Sequence, residues 1–397
     1  MLVFALVKGV PANTTRVVSI GGILRREEMD IVLNPYDRKT IEAADYMRRR
    51  VGGKLIALSM GPHPKIIPIM NELFEAEVSG IDEAYILSDK RMAGSDTWAT
   101  SYTLSKGISK ILSIHREAIE TLAKAVEAGE PIERVEALAA DLYRRNLLPN
   151  KIYSDKPSIR ETLINMLSEG KISREEASKI LWEEANKIYR EFVIFAGMKT
   201  SDGETGNVGP QVAEALSQEL GFPIPHVSFV LDFEYIGERN SIVARRKLVN
   251  LIQVVEVEIP AVLTIHVEYS APPIPLSGRR WSLLNSYRGK NRDIKIYNAD
   301  DIKADPRFIG LAGSPTVVGP GVDISRPYMR KIVGSSLIAA KDIDKISYGD
   351  KTYGPYKKGD LLDSLPEEVK RDLISKGLAK VFDYDDLAEE IINALKG

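Results

Sequence analysis

The residues best suited to chemistry in this chain form a polar loop, rich in glycine, that follows an apolar run at 192–196. The loop carries Gly197, Gly203, Gly206 and Gly209. An apolar run with Val and Ile indicates a buried parallel strand. A strand, a glycine-rich turn and a helix start together form an anion site, because free N–H groups and the helix dipole favour negative charge. On spacing alone, an ordinary strand-to-helix turn is an equal alternative.

A second candidate is the hydroxyl-rich stretch 95–101, which follows an apolar run at 83–87. Asp96 and Thr97 are residue types that begin helices, and Thr100 and Ser101 fall in the predicted first turn. Several hydroxyls at a helix start offer donors to a phosphate. The alternative is plain capping, which needs only one of them.

Composition removes several classes of chemistry. The 397 residues include no cysteine, so disulfides, thiolate nucleophiles and cysteine-ligated clusters are excluded. The four histidines have no metal-ligand spacing, and we predict no metal site. Any redox chemistry therefore needs an organic cofactor. The net charge of -2 does not indicate a nucleic-acid or anionic-membrane partner, and no apolar run is long enough to cross a bilayer. We expect a cytoplasmic protein.

The elements that position these residues alternate between strand and helix patterns. Predicted strands lie at 2–7, 54–59, 83–87 and 192–196, and Asn34 leads a predicted helix that ends near Arg50. Such alternation implies right-handed crossovers and a parallel sheet that binds ligands beyond the carboxyl ends of its strands. We predict an α/β fold with a doubly wound, mostly parallel sheet. The turns expected to converge on one ligand lie at Lys8, Asn34, Met60, Asp96 and Asp202.

Four segments follow from these patterns. Residues 1–112 and 191–318 form the two parts of an α/β domain, 113–190 is a helical insertion, and 319–397 is a C-terminal arm with helices. The β-branched stretch 254–267 is expected deep in the sheet. Residues 300–318 are expected to lead out of the domain, and a last helix is expected at 385–395.

Seven short pieces of sequence together resemble the β subunit of an electron transfer flavoprotein. In chain order they are ALVKGVP, NPYD, LSMGP, SDKRMAGSDTWATSYTL, GMKTSDGETGNVGPQVAE, IPAVLTI and IGLAGSPTVV. They cover about 1–112 and 192–318, in the order of the family. The resemblance implies a heterodimer with an α subunit that holds a redox-active FAD. In one branch of the family the β subunit binds only AMP, as a structural filler; in the other it binds a second FAD.

The AGSDTWATS segment resembles the FAD-binding branch, in which the β-subunit flavin takes hydride from NADH and electron bifurcation follows. The implied function is electron transfer to the α-subunit FAD and to dehydrogenase, ferredoxin or quinone-reductase partners. The chemistry is that of the flavin, so no residue is predicted as a general acid, base or nucleophile. The resemblance implies an electron carrier, or an NADH-dependent bifurcating oxidoreductase when the subunit is part of a complex.

By position, the resemblance assigns nucleotide contacts to several groups of residues. The adenine side and the neighbouring turns supply Leu6, Lys8, Asn34, Pro35, Tyr36, Asp37, Met60 and Gly61. The ribose and phosphate loop supplies Gly197, Met198, Lys199, Thr200, Ser201, Asp202, Gly203, Glu204, Thr205, Gly206, Asn207 and Val208. The additional part of FAD is assigned to Asp96, Thr97, Thr100 and Ser101, and partner recognition to Pro275, Leu276, Trp281, Leu283 and Leu284.

The chain departs from the usual family pattern in the phosphate loop, at 198–201 and at Asn207. Two alternatives to FAD binding stay open. One is a β subunit that binds AMP structurally. A more remote one is an ATP-dependent adenylating enzyme of a related fold, which would need a glycine–serine pyrophosphate loop where this chain has KGVPANTTR.

Overall fold

The computed structural model describes residues 1–12, 19–20, 23–24, 30–75, 81–148, 159–271, 294–316 and 335–383. The predicted partner loop at 275–284 and the predicted last helix at 385–395 lie outside these residues. Contacts divide the chain into a large unit, Met1–Val18 with Leu24–Gly319, and a small unit, Ser19–Ile23 with Pro320–Gly397.

In chain order, the first strands are β1 (Leu2–Leu6), β2 (Gly9–Pro11), β3 (Ser19–Ile20), β4 (Ile23–Leu24) and β5 (Ile31–Leu33). Of these, β3 and Ile23 of β4 belong to the small unit and the rest to the large unit. Then come α1 (Pro35–Val51), β6 (Lys54–Met60), α2 (His63–Glu75), β7 (Glu83–Leu87) and α3 (Thr97–Glu127). After α3 follow α4 (Ile132–Arg144), a π-helical turn (Ile159–Ile164), α5 (Asn165–Ser168) and α6 (Arg174–Lys187). The rest is β8 (Phe192–Gly197), α7 (Val208–Leu220), β9 (His226–Ile236), β10 (Ser241–Lys247), β11 (Ile252–Glu258), β12 (Ala261–Ile265) and β13 (Ile294–Tyr297).

One nine-stranded sheet, in the order β11-β10-β9-β12-β8-β1-β6-β7-β13, carries the large unit. The pairings from β9 through β12, β8, β1, β6 and β7 to β13 are all parallel, whereas β10 is antiparallel to both of its neighbours, β9 and β11. The expected α/β fold with a doubly wound, mostly parallel sheet is therefore confirmed.

The strand order reverses next to β1. The chain passes from β1 to β6 and β7 on one side, and then crosses to β8 on the other side. Helices α1 and α2 pack on one face of the sheet with Val3 and Ala5, and α3 and α7 pack on the other face with Leu2 and Phe4. Parallel strands have their carboxyl ends at one edge, so the β1–β8 crevice is where an open α/β sheet binds its ligand.

Helix α3 is a single helix of 31 residues that begins at the carboxyl edge of the sheet and continues past the predicted boundary at 112. Its second half packs with α4 and α6 around Leu122, Val135 and Leu181, in a core separate from the two sheet faces. Among the described residues of 113–187, most are helical, and Ser173 and Glu176 form a capping box at the start of α6.

Two expectations about the sheet were wrong. Strand β11 is the outer edge strand, with Ile252 and Val254 51% and 63% exposed, so 254–258 does not lie deep in the sheet, whereas 261–265 does. Residues 300–316 do not simply lead away from the domain. They follow β13, which adds a strand beside β7, and they pack on the start of α3.

The small unit has a hydrophobic core of its own. It contains β14 (Ser335–Ala339), β15 (Ile346–Tyr348), β16 (Lys351–Tyr353), α8 (Glu367–Ser375) and β17 (Ala379–Asp383). Strands β14 and β17 pair, as do β15 and β16, and Leu362, Val369 and Leu373 lie at the centre of the core.

Candidate functional site

Three turns meet directly at the β1–β8 crevice. The Lys8 ammonium contacts both carboxylate oxygens of Asp202 at 2.8 Å, which joins the turn after β1 to the loop after β8. The Asn34 side chain donates to Asp37 at 2.9 Å and to the Lys199 carbonyl at 3.1 Å. It also accepts the N–H of Ser201 at 3.3 Å. The predicted residues Lys8, Asn34, Asp37, Lys199 and Asp202 therefore lie together.

Asp37 is the buried centre of this arrangement. It accepts the main-chain N–H of Lys8 at 2.7 Å as well as the Asn34 amide, and it is 3% exposed. Burial raises the pKa of the Asp37 carboxyl to about 7, against the lowering effect of the hydrogen bonds from Lys8 and Asn34. Asn34 and Asp37 are thus occupied by protein groups and fix the loops, while the surfaces of those loops remain for a ligand.

Glycine is required where the loop after β8 starts. A Cβ atom at Gly197 would meet the Asp37 carboxylate, so only glycine lets β8 approach α1 this closely. Gly206 has φ of 67°, and a Cβ there would lie 3.0 Å from the Met198 carbonyl oxygen. These glycines give a compact loop whose backbone can approach a phosphate, which fits a nucleotide cofactor.

The hydroxyls at the start of α3 fall into two groups. The Ser101 hydroxyl donates to the Thr97 carbonyl at 2.7 Å and contacts the Val208 carbonyl at 3.3 Å, so it joins the starts of α3 and α7. Thr97 and Thr100 are half-buried, and no hydrogen bond within the described residues uses their hydroxyls. Thr97 and Thr100 are therefore the members of the predicted hydroxyl group that can receive a ligand.

Met60 and Gly61 lie at the neighbouring strand tip. The Gly61 N–H donates to the Leu87 carbonyl at 3.0 Å, which ties the end of β6 to the end of β7. Among the described residues, no hydrogen bond joins Met60 or Gly61 to the turns of Lys8, Asn34 or Asp202. Four of the five predicted turns are thus linked by direct bonds or through Ser101, and the fifth borders them.

Sequence reasoning missed one part of this region, residues 305–316, which we call the strap. The Ser314 hydroxyl accepts the N–H of Asp96 at 2.8 Å. Thr316 donates its N–H and its hydroxyl to the Asp96 carboxylate, at 3.0 and 2.6 Å. The segment was quoted in the piece IGLAGSPTVV, but neither that resemblance nor the hydroxyl residues in AGSPT predicted that it would pack beside the start of α3.

Among the residues that the structure describes, no group of His, Asp and Glu side chains is arranged to hold a metal ion. Within the same residues, no helix combines the length and the apolar character that crossing a membrane requires.

The sequence of this chain is similar to those of several known proteins. The sequence profile of a family described as electron transfer flavoprotein domain matches residues 22–130. The chain is 28% identical over 320 residues to the electron transfer flavoprotein subunit beta of Thermoanaerobacterium thermosaccharolyticum, covering 80% of this chain and 86% of that protein. It is 26% identical over 319 residues to the subunit of the same name from Clostridium acetobutylicum, with coverage of 80% and 86%.

A third relative is named as part of a larger complex. The caffeyl-CoA reductase-Etf complex subunit CarD of Acetobacterium woodii is 25% identical over 353 residues, covering 86% of this chain and 98% of that protein. The resemblance inferred from seven short pieces of sequence is thereby confirmed over most of the chain's length. Over most of its length the chain is similar to electron transfer flavoprotein β subunits and to a subunit of an Etf complex.

Proposed function

We propose that this chain is the β subunit of a heterodimeric electron transfer flavoprotein and that it binds FAD at the carboxyl edge of its sheet. The observation that carries the proposal is the meeting of the Lys8, Asn34 and Asp202 turns at the β1–β8 crevice. At the neighbouring start of α3 lie two threonine hydroxyls that make no hydrogen bond within the part of the chain that the structure describes. A mononucleotide would need only the three turns at the crevice and not the threonine hydroxyls. The Thr97 and Thr100 hydroxyls suit the second phosphate of a dinucleotide.

The residues divide the work of binding. Asn34 and Asp37 hold three loops in place, and Gly197 and Gly206 allow the loop after β8 to lie close to a ligand. Lys8 and Asp202 neutralise each other across the crevice, so the site does not present an unbalanced charge there. FAD, when bound, would supply the hydride and electron chemistry that no side chain of this chain can provide.

The wider role follows from the relatives. The Etf-complex name of the A. woodii relative, and the name acryloyl-CoA reductase electron transfer subunit gamma borne by a relative of Anaerotignum propionicum, support a partner-dependent electron carrier. We propose an α subunit with its own FAD, NADH as electron donor with bifurcation between two acceptors, and dehydrogenase, ferredoxin or quinone-reductase partners.

The test is the nucleotide content of the complex purified with its α subunit. Acid extraction followed by chromatography should give two FAD for each heterodimer and no AMP. One FAD with one AMP would replace the proposal by the structural-AMP alternative. Release of pyrophosphate from ATP by the purified chain would instead favour the remote adenylating alternative.

A further inference from the structure

The strap forms hydrogen bonds at several points with residues 93–96, which lead into α3, and with the first turns of α3. The Gly310 N–H donates to the Ser95 hydroxyl at 3.1 Å, and the Leu311 N–H donates to the Ala93 carbonyl at 3.1 Å. At its other end, the Asp305 N–H donates to the Tyr102 hydroxyl at 2.9 Å. Gly310 has φ of 60°, and a Cβ there would meet the Arg91 carbonyl. The strap is thus fitted to this segment over its whole length.

Asp96 is the point where the strap and α3 meet. One carboxylate oxygen caps α3 by accepting the Ala99 N–H at 3.0 Å, and the other accepts both donors of Thr316. Burial raises the pKa of the Asp96 carboxyl, but the hydrogen bonds from Thr316 and Ala99 outweigh it and hold the pKa below its ordinary value. Both oxygens of Asp96 are therefore occupied within the protein.

We propose that Thr316 is a positioning residue for the cofactor: acting through Asp96, it fixes the first turn of α3 so that Thr97 and Thr100 meet the second phosphate of a dinucleotide. Asp96 itself then positions rather than contacts the ligand. The inference rests on the proposed function, because it takes FAD to be that dinucleotide. Thr316, which is 220 positions away from Asp96 in the sequence, would then help to determine the preference for FAD over AMP.

The experiment compares three forms of the full-length chain by titration calorimetry with FAD and with AMP. Thr316→Val removes the side-chain donor and keeps the N–H, and Thr316→Ser restores a donor. We expect Thr316→Val to raise the dissociation constant for FAD about tenfold, since a hydrogen bond to a charged group is lost. The constant for AMP should change less than twofold, and Thr316→Ser should bind both nucleotides like the parent.

Thr121→Val is the matched control, because Thr121 is exposed on the distant part of α3 and its hydroxyl donates to the Glu117 carbonyl of the same helix at 2.7 Å. It should leave both constants unchanged. Equal weakening of FAD and AMP by Thr316→Val, or no weakening of either, would overturn the positioning role while leaving FAD binding intact. A parent chain that binds AMP but not FAD would overturn the positioning role and the FAD-binding function together.

Discussion

The Asp37 carboxyl gives the clearest consequence at the scale of single residues. Its pKa is raised from 3.8 to about 7 by burial, so between pH 4 and 7 the folded chain holds a proton that the unfolded chain releases. The stability contributed by this group is therefore present below pH 4 and lost as pH rises to 7. A pKa difference of this size corresponds to an unfolding free energy on the order of 4 kcal/mol.

Asp37→Asn should remove that decline, because an amide does not titrate. We expect the difference in unfolding free energy between the parent and Asp37→Asn, measured by denaturant titration at several pH values, to shift in favour of the variant as pH rises from 4 to 7. A difference that stays constant over this range would show that the carboxyl titrates normally.

Gly197, at the start of the loop after β8, should not tolerate a side chain. Gly197→Ala places a methyl group against the Asp37 carboxylate, and we expect the affinity for adenine nucleotides to fall more than tenfold. Gly203→Ala is the matched control in the same loop, because its nearest neighbour would be the Thr200 hydroxyl at 3.6 Å, an ordinary contact. Calorimetry that finds both variants equally weakened would contradict the close packing of β8 on α1.

At the scale of elements, a buried charge cluster joins β6, β7, β13 and α3 at the amino edge of the sheet. Glu83 lies 3.6 Å from Lys54, 3.2 Å from His115 and 2.9 Å from Lys295, and it accepts the Tyr85 hydroxyl at 2.7 Å. Burial raises the pKa of Glu83, but His115, Lys54 and Lys295 outweigh it and hold the pKa well below its usual range. Lys54 and His115 are each 2% exposed, so they depend on this carboxylate.

Glu83→Gln should destabilise the large unit by about 3 kcal/mol, because it leaves the buried Lys54 ammonium without its counter-charge. Denaturant unfolding would measure this. Glu219→Gln, which removes the exposed partner of Lys106, should change stability by less than about 1 kcal/mol. Similar losses in the two variants would mean that the cluster is hydrated.

The same scale shows what sequence alone can predict. Helices α1, α3 and α7 follow from apolar spacing and start signals, and α3 begins at the predicted cap, Asp96. The edge position of β11 could not be predicted from its residues. β-branched residues favour edge strands and central strands alike, and the exposure of a strand depends on how distant strands are ordered in the sheet. The position of the strap could not be predicted from the sequence either. Ser314 and Thr316 are held by hydrogen bonds to Asp96, and such bonds leave no repeating pattern in the sequence.

At the scale of the whole molecule, the chain has two units with separate cores. The small unit is centred on Leu373 and the insertion core of the large unit on Leu122, and both side chains are fully buried. We expect calorimetry to resolve two transitions. Leu373→Ala should lower the midpoint of one transition, and Leu122→Ala that of the other. Each truncation should reduce the unfolding free energy of its unit by roughly 2–5 kcal/mol. A single transition that both variants shift would mean that the units unfold together.

The continuous helix α3 has a consequence for how binding at one end is felt at the other. Its 31 residues make a rod of about 46 Å, whose first turn borders the crevice and whose last turns lie among α4 and α6. Gly107 lets it rest directly on Leu87, and His115 anchors its middle to Glu83. A protein that binds α4 and α6 and thereby tilts α3 would change the affinity for the nucleotide by some factor. By thermodynamic reciprocity, the nucleotide would change the affinity for that protein by the same factor.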